Sequence, residues 1–391
     1  MLGIRNFCML LLLLCFILPG CSKEEDQGVP IPSAVSSPNT DPVTSPVDPI
    51  AEQIKQMTLS EKIGQMMIVG VEGLAVDTHT RELIDQHHVG GFILYKENIE
   101  DTNQTLSFLN ELKAFNKGQI PLFLSVDQEG GKVNRMPEDY AKIPANQAIG
   151  KINQPGLSFR IGVLLAKQVK SVGFNMNYAP VLDINSNAQN PVIGDRSYGS
   201  DEEVVSKLGV QTMLGIQSQE VVPVVKHFPG HGDTAVDSHL ELPTVNKTLS
   251  QLRKFELLPF AAAIKNKADV VMIAHILLPH LDPDHPASFS KRIITGILRE
   301  EMQFEGVVIT DDMTMGGIVK HYDIKEAAVQ SIQAGSDVIM VAHGYETAVE
   351  VINYLVSKVE SGTIAEDEID QSVYRILQLK KKYGLVDQEI T

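Results

Sequence analysis

Tryptophan is absent from the 391 residues, and the three cysteines, Cys8, Cys15 and Cys21, all fall within the first 21. Whatever folds after Cys21 has no disulfide and no thiolate metal site. Basic charge is scarce. Against 49 Asp and Glu stand 33 Lys and Arg, a formal net charge of −16. No basic stretch offsets this, which argues against nucleic acid as a partner. Long apolar runs are missing too. The one at Cys8–Leu18 is too short to span a bilayer as a mature helix. No Gly-x-Gly-x-x-Gly follows the first strand-like run of the remainder, so a dinucleotide fingerprint is lacking.

What stands at the N-terminus is a targeting segment. Arg5 precedes the apolar run, which ends in Leu18-Pro19-Gly20-Cys21. This resembles a bacterial lipoprotein signal over residues 1–20, with Cys21 as the lipid-bearing mature N-terminus; the alternative is an ordinary secretory signal. Both export the protein. Residues 21–49 then read as a tether, with prolines at 30, 32, 38, 42, 46 and 49 among Ser, Thr and Asp. Such a segment cannot bury enough apolar surface to fold. The expected location is the outer side of the cell membrane, held there by the lipid.

From Ile50 the pattern alternates. Apolar runs at 66–70, 90–95, 121–126, 174–182, 221–225, 270–274, 306–310 and 337–341 are separated by helix-like stretches. Thr58-Leu59-Ser60-Glu61 has the form of a helix start. Continuous apolarity fits strands covered on both faces. Eight such units predict an α/β fold of the (β/α)8 barrel type, one domain over residues 50–391; a doubly wound open sheet is the alternative. The helix expected over 248–264 is drawn as continuous.

Polar residues gather where the runs stop. Asp127-Gln128-Glu129 follows the third, Asp183 the fourth, Lys226-His227 the fifth, His275 the sixth and Asp311-Asp312 the seventh. In a barrel these are the C-terminal strand ends, where active sites lie. The densest stretch runs from Lys226 to His239 and holds three histidines, two aspartates and a lysine. Asp237 and His239 are two apart. In an extended segment they project to one side, where the carboxylate fixes the tautomer and favours the charged imidazole. A histidine so held can exchange a proton with a leaving group and with water. A competing reading has His227, His231, Asp233 and His239 ligating a metal, although their spacing matches no helical zinc motif. Asp311 and Asp312 are both candidates for a nucleophile or base, and periodicity does not separate them. Asp127, Arg135, Arg196, Lys226 and His227 suit the recognition of a polyol such as a sugar. A plainer alternative pairs Asp195 with Arg196.

Lys226-His227-Phe228-Pro229-Gly230-His231-Gly232, with Asp237-Ser238-His239, resembles the signature of family 3 glycoside hydrolases of the β-N-acetylhexosaminidase branch. Val126-Asp127-Gln128-Glu129-Gly130-Gly131, Gly194-Asp195-Arg196-Ser197 and Thr310-Asp311-Asp312-Met313-Thr314-Met315 resemble its other blocks, in the same order. Lys132 departs from the arginine usual after the paired glycines. The resemblance spans about 50–385 and implies a retaining exo-β-N-acetylglucosaminidase. Asp311 would be the nucleophile, and His239 the general acid/base oriented by Asp237. Asp127, Arg135, Arg196, Lys226 and His227 would bind the N-acetylglucosamine unit. It implies no cofactor and no metal, and substrates among cell-wall muropeptides or chitin fragments. Some relatives carry a second C-terminal domain; here a single barrel, acting as a monomer, is expected. The alternatives are a sugar-binding lipoprotein without catalysis, a β-glycosidase of other specificity, or a phosphorylase.

Overall fold

Short Val- and Ile-rich segments pair edge to edge in chain order in the computed structural model, which describes residues 48–390. They are β1 (Met67–Gly70), β2 (Gly91–Leu94), β3 (Phe123–Val126), β4 (Met176–Asn177), β5 (Val222–Phe228), β6 (Val270–Ile273), β7 (Val307–Asp312) and β8 (Val338–Val341). All pairings are parallel, and β8 returns to β1 with Met67 opposite Ile339. The sheet is a closed eight-stranded barrel wrapped by helices, as the alternation predicted. The strands are buried almost throughout, because helices cover their outer faces and side chains fill the interior.

The readings of residues 1–20 as a signal, of Cys21 as lipid-bearing and of 21–49 as a tether concern residues outside those described, except for Asp48 and Pro49. These two open the first helix, Pro49–Gln56. Asp48 caps it by accepting the Ile50 N–H at 2.9 Å, and proline suits the first helical position. The first described helix so begins one residue before Ile50. The Thr58–Glu61 capping box is present as expected, with both reciprocal bonds made.

Three elements differ from their expected bounds. β4 is two residues long, because Pro180 has no N–H to extend the ladder; pairing with β5 resumes as a single bridge from Val181 to Lys226. β5 runs on to Phe228, so Lys226 and His227 lie within the strand and not in a loop after it. The helix expected over 248–264 breaks into Leu249–Lys254 and Leu257–Lys265. Pro259 accounts for the break: within a continuous helix its ring would collide with the carbonyl four residues back, that of Phe255, which is where the backbone leaves helical geometry. A helix that the apolar pattern does not predict spans Asn146–Ile152.

Candidate active site

At the C-terminal ends of the strands lies a compact cavity of about 180 Å³, floored by the buried Met272 and Met340. Asp127, Arg135, Arg196, Lys226, His227, His239 and Asp311 all line it. A larger cleft of about 740 Å³ sits at the opposite ends of the strands, between Ile50, Gln65, Pro121 and Lys380. None of the strand-end carboxylates reaches it, and chemistry in this fold belongs to the other face.

One wall of the cavity is a buried ion network. Arg196 holds Glu129 with two parallel bonds, Nε to Oε2 at 2.9 Å and Nη2 to Oε1 at 2.7 Å. Lys226 Nζ reaches Glu129 Oε1 at 2.8 Å and also pairs with Asp127. Burial pushes the Glu129 carboxyl up, but Arg196 and Lys226 outweigh it and hold the group well below its usual range. Burial likewise opposes the Lys226 charge, and the two carboxylates more than restore it. Asp195 does not pair with Arg196. It meets Lys132 at 3.4 Å on the surface, since the bidentate Glu129 contact claims the guanidinium. Arg135 lines the cavity with a buried Nε that has no partner among the described residues, a donor that can meet a ligand.

The next layer orients the histidines. His227 Nδ1 bonds Asp183 Oδ2 at 2.6 Å, and its Nε2 faces Arg196 Nη2 at 3.4 Å. Asp183 also accepts the His231 N–H at 2.6 Å. Burial would raise Asp183, yet His227 and His231 bring it below its ordinary value. His231 has both ring nitrogens engaged, Nδ1 with Thr234 and Nε2 with Ser238, each at 2.9 Å. Burial, then His227, lowers it to about 4, so it is neutral across the usual working range. It is a structural strut. The metal reading of the loop falls on this geometry, because its histidines are turned to separate partners.

β7 carries the two rival aspartates, and they differ sharply. Asp312 is saturated: Oδ1 accepts the N–H groups of Thr314 and Ala342, both at 2.9 Å, and Oδ2 accepts the Thr314 hydroxyl at 2.6 Å. Asp311 accepts only the Asp312 N–H, at 2.9 Å, among the described residues, and faces the cavity. Burial opposes its charge, but His275, His227 and His239 together with that N–H hold its carboxyl below the ordinary range. The ladder between β7 and β8 shifts register between Ile309 and Asp312, so simple alternation does not assign these side chains.

His239 arrives from the long connection after β5. Asp237 Oδ1 bonds both the His239 ring Nδ1, at 2.7 Å, and its backbone N–H, at 2.9 Å. The segment is a tight turn and not extended as expected. Leu240 and Glu241 both donate to the Asp237 carbonyl, and aspartate favours turns of this kind. The pairing survives because the turn itself brings the imidazole back over the carboxylate. The His239 side chain is 62% exposed at the cavity mouth.

The sequence model described as the N-terminal domain of glycosyl hydrolase family 3 matches residues 58–379. The chain belongs to this family. It is 34% identical over 326 residues to Beta-hexosaminidase A of Pseudoalteromonas piscicida, covering 77% of this chain but 54% of that protein. A Beta-hexosaminidase of Idiomarina loihiensis is 34% identical over 291 residues, covering 73% of this chain and 86% of its own length. Among solved structures, a family 3 beta-N-acetylglucosaminidase from a Paenibacillus species superposes with a TM-score of 0.84 at 41% identity, covering 86% of this chain and 64% of that one. Beta-N-acetylhexosaminidase from Beutenbergia cavernae gives 0.78 at 28% identity, over 83% and 99%.

All the residues singled out for the site of this family 3 hydrolase therefore converge, save that Asp237 stands one step back, behind His239. Four participants were not singled out. Glu129 and Asp183 organise the walls, and their signal was present, since both follow apolar runs at the same end of the barrel. Tyr95 and His343 stack at 5.1 Å on the remaining side of the cavity. A polar residue just after β2 and another just after β8 mark them in the same way.

Proposed function

We propose that this family 3 hydrolase is a retaining exo-β-N-acetylglucosaminidase that acts as a monomer. Asp311 attacks the anomeric carbon to form a glycosyl-enzyme, while His239, oriented by Asp237, protonates the departing oxygen and then takes a proton from water. Asp127, Arg135, Arg196, Lys226 and His227 grip the sugar. The reading rests on one observation: an available carboxylate and an exposed, carboxylate-held imidazole line the same cavity. Its volume is smaller than the roughly 300–1,000 Å³ of sites for drug-sized ligands, which suits one terminal sugar better than a threaded chain. The names of its relatives add the N-acetylhexosamine preference. The proposed natural substrates are muropeptides or chitin fragments ending in β-linked N-acetylglucosamine.

The enzyme should cleave p-nitrophenyl N-acetyl-β-glucosaminide, with the β anomer of the free sugar appearing first in proton NMR. Added phosphate should leave the product unchanged. A sugar 1-phosphate would identify a phosphorylase instead, and calorimetric binding without any release would identify a carrier.

We further propose that Cys21 bears lipid and holds the enzyme outside the cell membrane, on the strength of Leu18-Pro19-Gly20-Cys21. Radiolabelled palmitate should enter the wild type and not Cys21→Ala; equal labelling would reject the anchor.

A further inference from the structure

His239 stands at the end of a long connection, yet it must meet an aspartate on a strand two places further along the barrel. Its ring bond to Asp237 lies within the same turn and fixes nothing relative to Asp311. What ties Ser238 and His239 to the loop that follows Asp311 is backbone. The Gly316 N–H donates to the His239 carbonyl at 3.1 Å, and the Gly317 N–H to the Ser238 carbonyl at 3.0 Å. These glycines open the short helix Gly316–Val319, whose first N–H groups have no partner within the helix. They follow the nucleophile's strand directly: the Met315 N–H bonds the Asp312 carbonyl at 3.0 Å.

The fit leaves no room for a side chain. A Cβ on Gly316 would lie 2.6 Å from the His239 carbonyl oxygen and 2.8 Å from that of Leu240. On Gly317 it would lie 3.0 Å from the Ser238 oxygen and 3.2 Å from that of Glu241. Neither glycine has the left-handed backbone that would itself demand glycine. The close approach of the turn is thus what a larger residue would disturb. From the other side, Ser238 is held by the His231 ring. At the rim Glu241 meets Lys320 at 2.8 Å and His321 at 3.2 Å, exposed pairs of small individual weight.

We infer that Gly316 and Gly317 are positioning residues that clamp the acid/base turn onto the loop following the nucleophile. This rests on the roles proposed above for His239 and Asp311. The clamp sets the distance between the two halves of the reaction, and it acts through His239 without touching substrate.

The test uses the full-length enzyme with phenyl and 2,4-dinitrophenyl N-acetyl-β-glucosaminides. Phenolate departs slowly without a proton, whereas dinitrophenolate needs none. Gly316→Ala should lose more than about tenfold in kcat/KM on the phenyl substrate and less than about threefold on the dinitrophenyl one, as for a weakened general acid. Its unfolding temperature should fall by no more than a few degrees, since the turn it displaces is exposed at Leu240 and alanine suits a helix start. Gly317→Ala, with its looser contacts, should show the same pattern more mildly. In a His239→Ala background, Gly316→Ala should cost nothing further, because both act on one step. Equal losses on both substrates, or additive losses, would overturn the clamp. Leaving-group dependence in His239→Ala but not in Gly316→Ala would overturn the clamp and spare the acid/base role. Its absence from His239→Ala itself would overturn both.

Discussion

Asp311→Asn should lower kcat/KM on p-nitrophenyl N-acetyl-β-glucosaminide by about 10³–10⁵-fold while leaving the fold intact, whereas Asp312→Asn should do the reverse. The magnitude is that of losing a nucleophile from a site whose other parts persist. The two carboxylates are neighbours, but their bonding divides the labour. Asp311 accepts the Asp312 N–H and otherwise faces the cavity. It is held ionised against burial by three imidazoles, as a nucleophile must be. Asp312 has three donors directed at it, one of them the Ala342 N–H just after β8. An amide there can keep its oxygen on the two N–H groups only by setting its NH2 against the Thr314 hydroxyl, which must turn its own proton elsewhere, at a cost of about 1 kcal/mol in stability. Activity and thermal unfolding measured on both variants decide the matter. An active, normally turning-over Asp311→Asn would transfer the nucleophile's role to Asp312.

Glu129→Gln is expected to be the most destabilising single change in the site. It leaves Arg196 and Lys226 buried beside each other with Asp127 as their remaining carboxylate. Breaking a buried pair by removing one partner costs roughly 3–5 kcal/mol, a fall of about 4–7 °C in unfolding temperature for a domain this large. The pH dependence follows from the direction of the shift. Glu129 titrates well below its ordinary value of 4.5 in the folded state. Its contribution is complete above that value and is lost as the pH falls through the depressed one. The variant should lack that part of the acid sensitivity, and its deficit should be constant between about pH 5 and 8. Differential scanning calorimetry across that range is the check. Equal unfolding temperatures for the two proteins would mean that Asp127 alone suffices to balance both cations.

The barrel was legible because its strands are buried on both faces and so write themselves as unbroken apolar runs. The polar residues that end those runs marked the site for the same reason, since little else in such a strand is charged. What the chain order concealed was pairing at a distance. Arg196 sits beside Asp195 in sequence but finds Glu129 in space. Asp311 and Asp312 could not be told apart because a register shift interrupts the alternation just where it was needed. The Asp237–His239 contact was foreseen from the wrong backbone, as a turn delivers the same pair that an extended segment would. The helix break was within reach, because Pro259 was visible all along.

The closure of β8 onto β1 makes the site depend on the far end of the chain. Asp312 is secured by Ala342, and the acid/base turn rests on Gly316 and Gly317, so the reactive constellation draws on the last quarter of the chain. A chain cut before Gly316 would lack the donors that hold the Ser238 and His239 carbonyls. Residues more than a hundred positions apart in the chain must be in place together before the cavity has its shape.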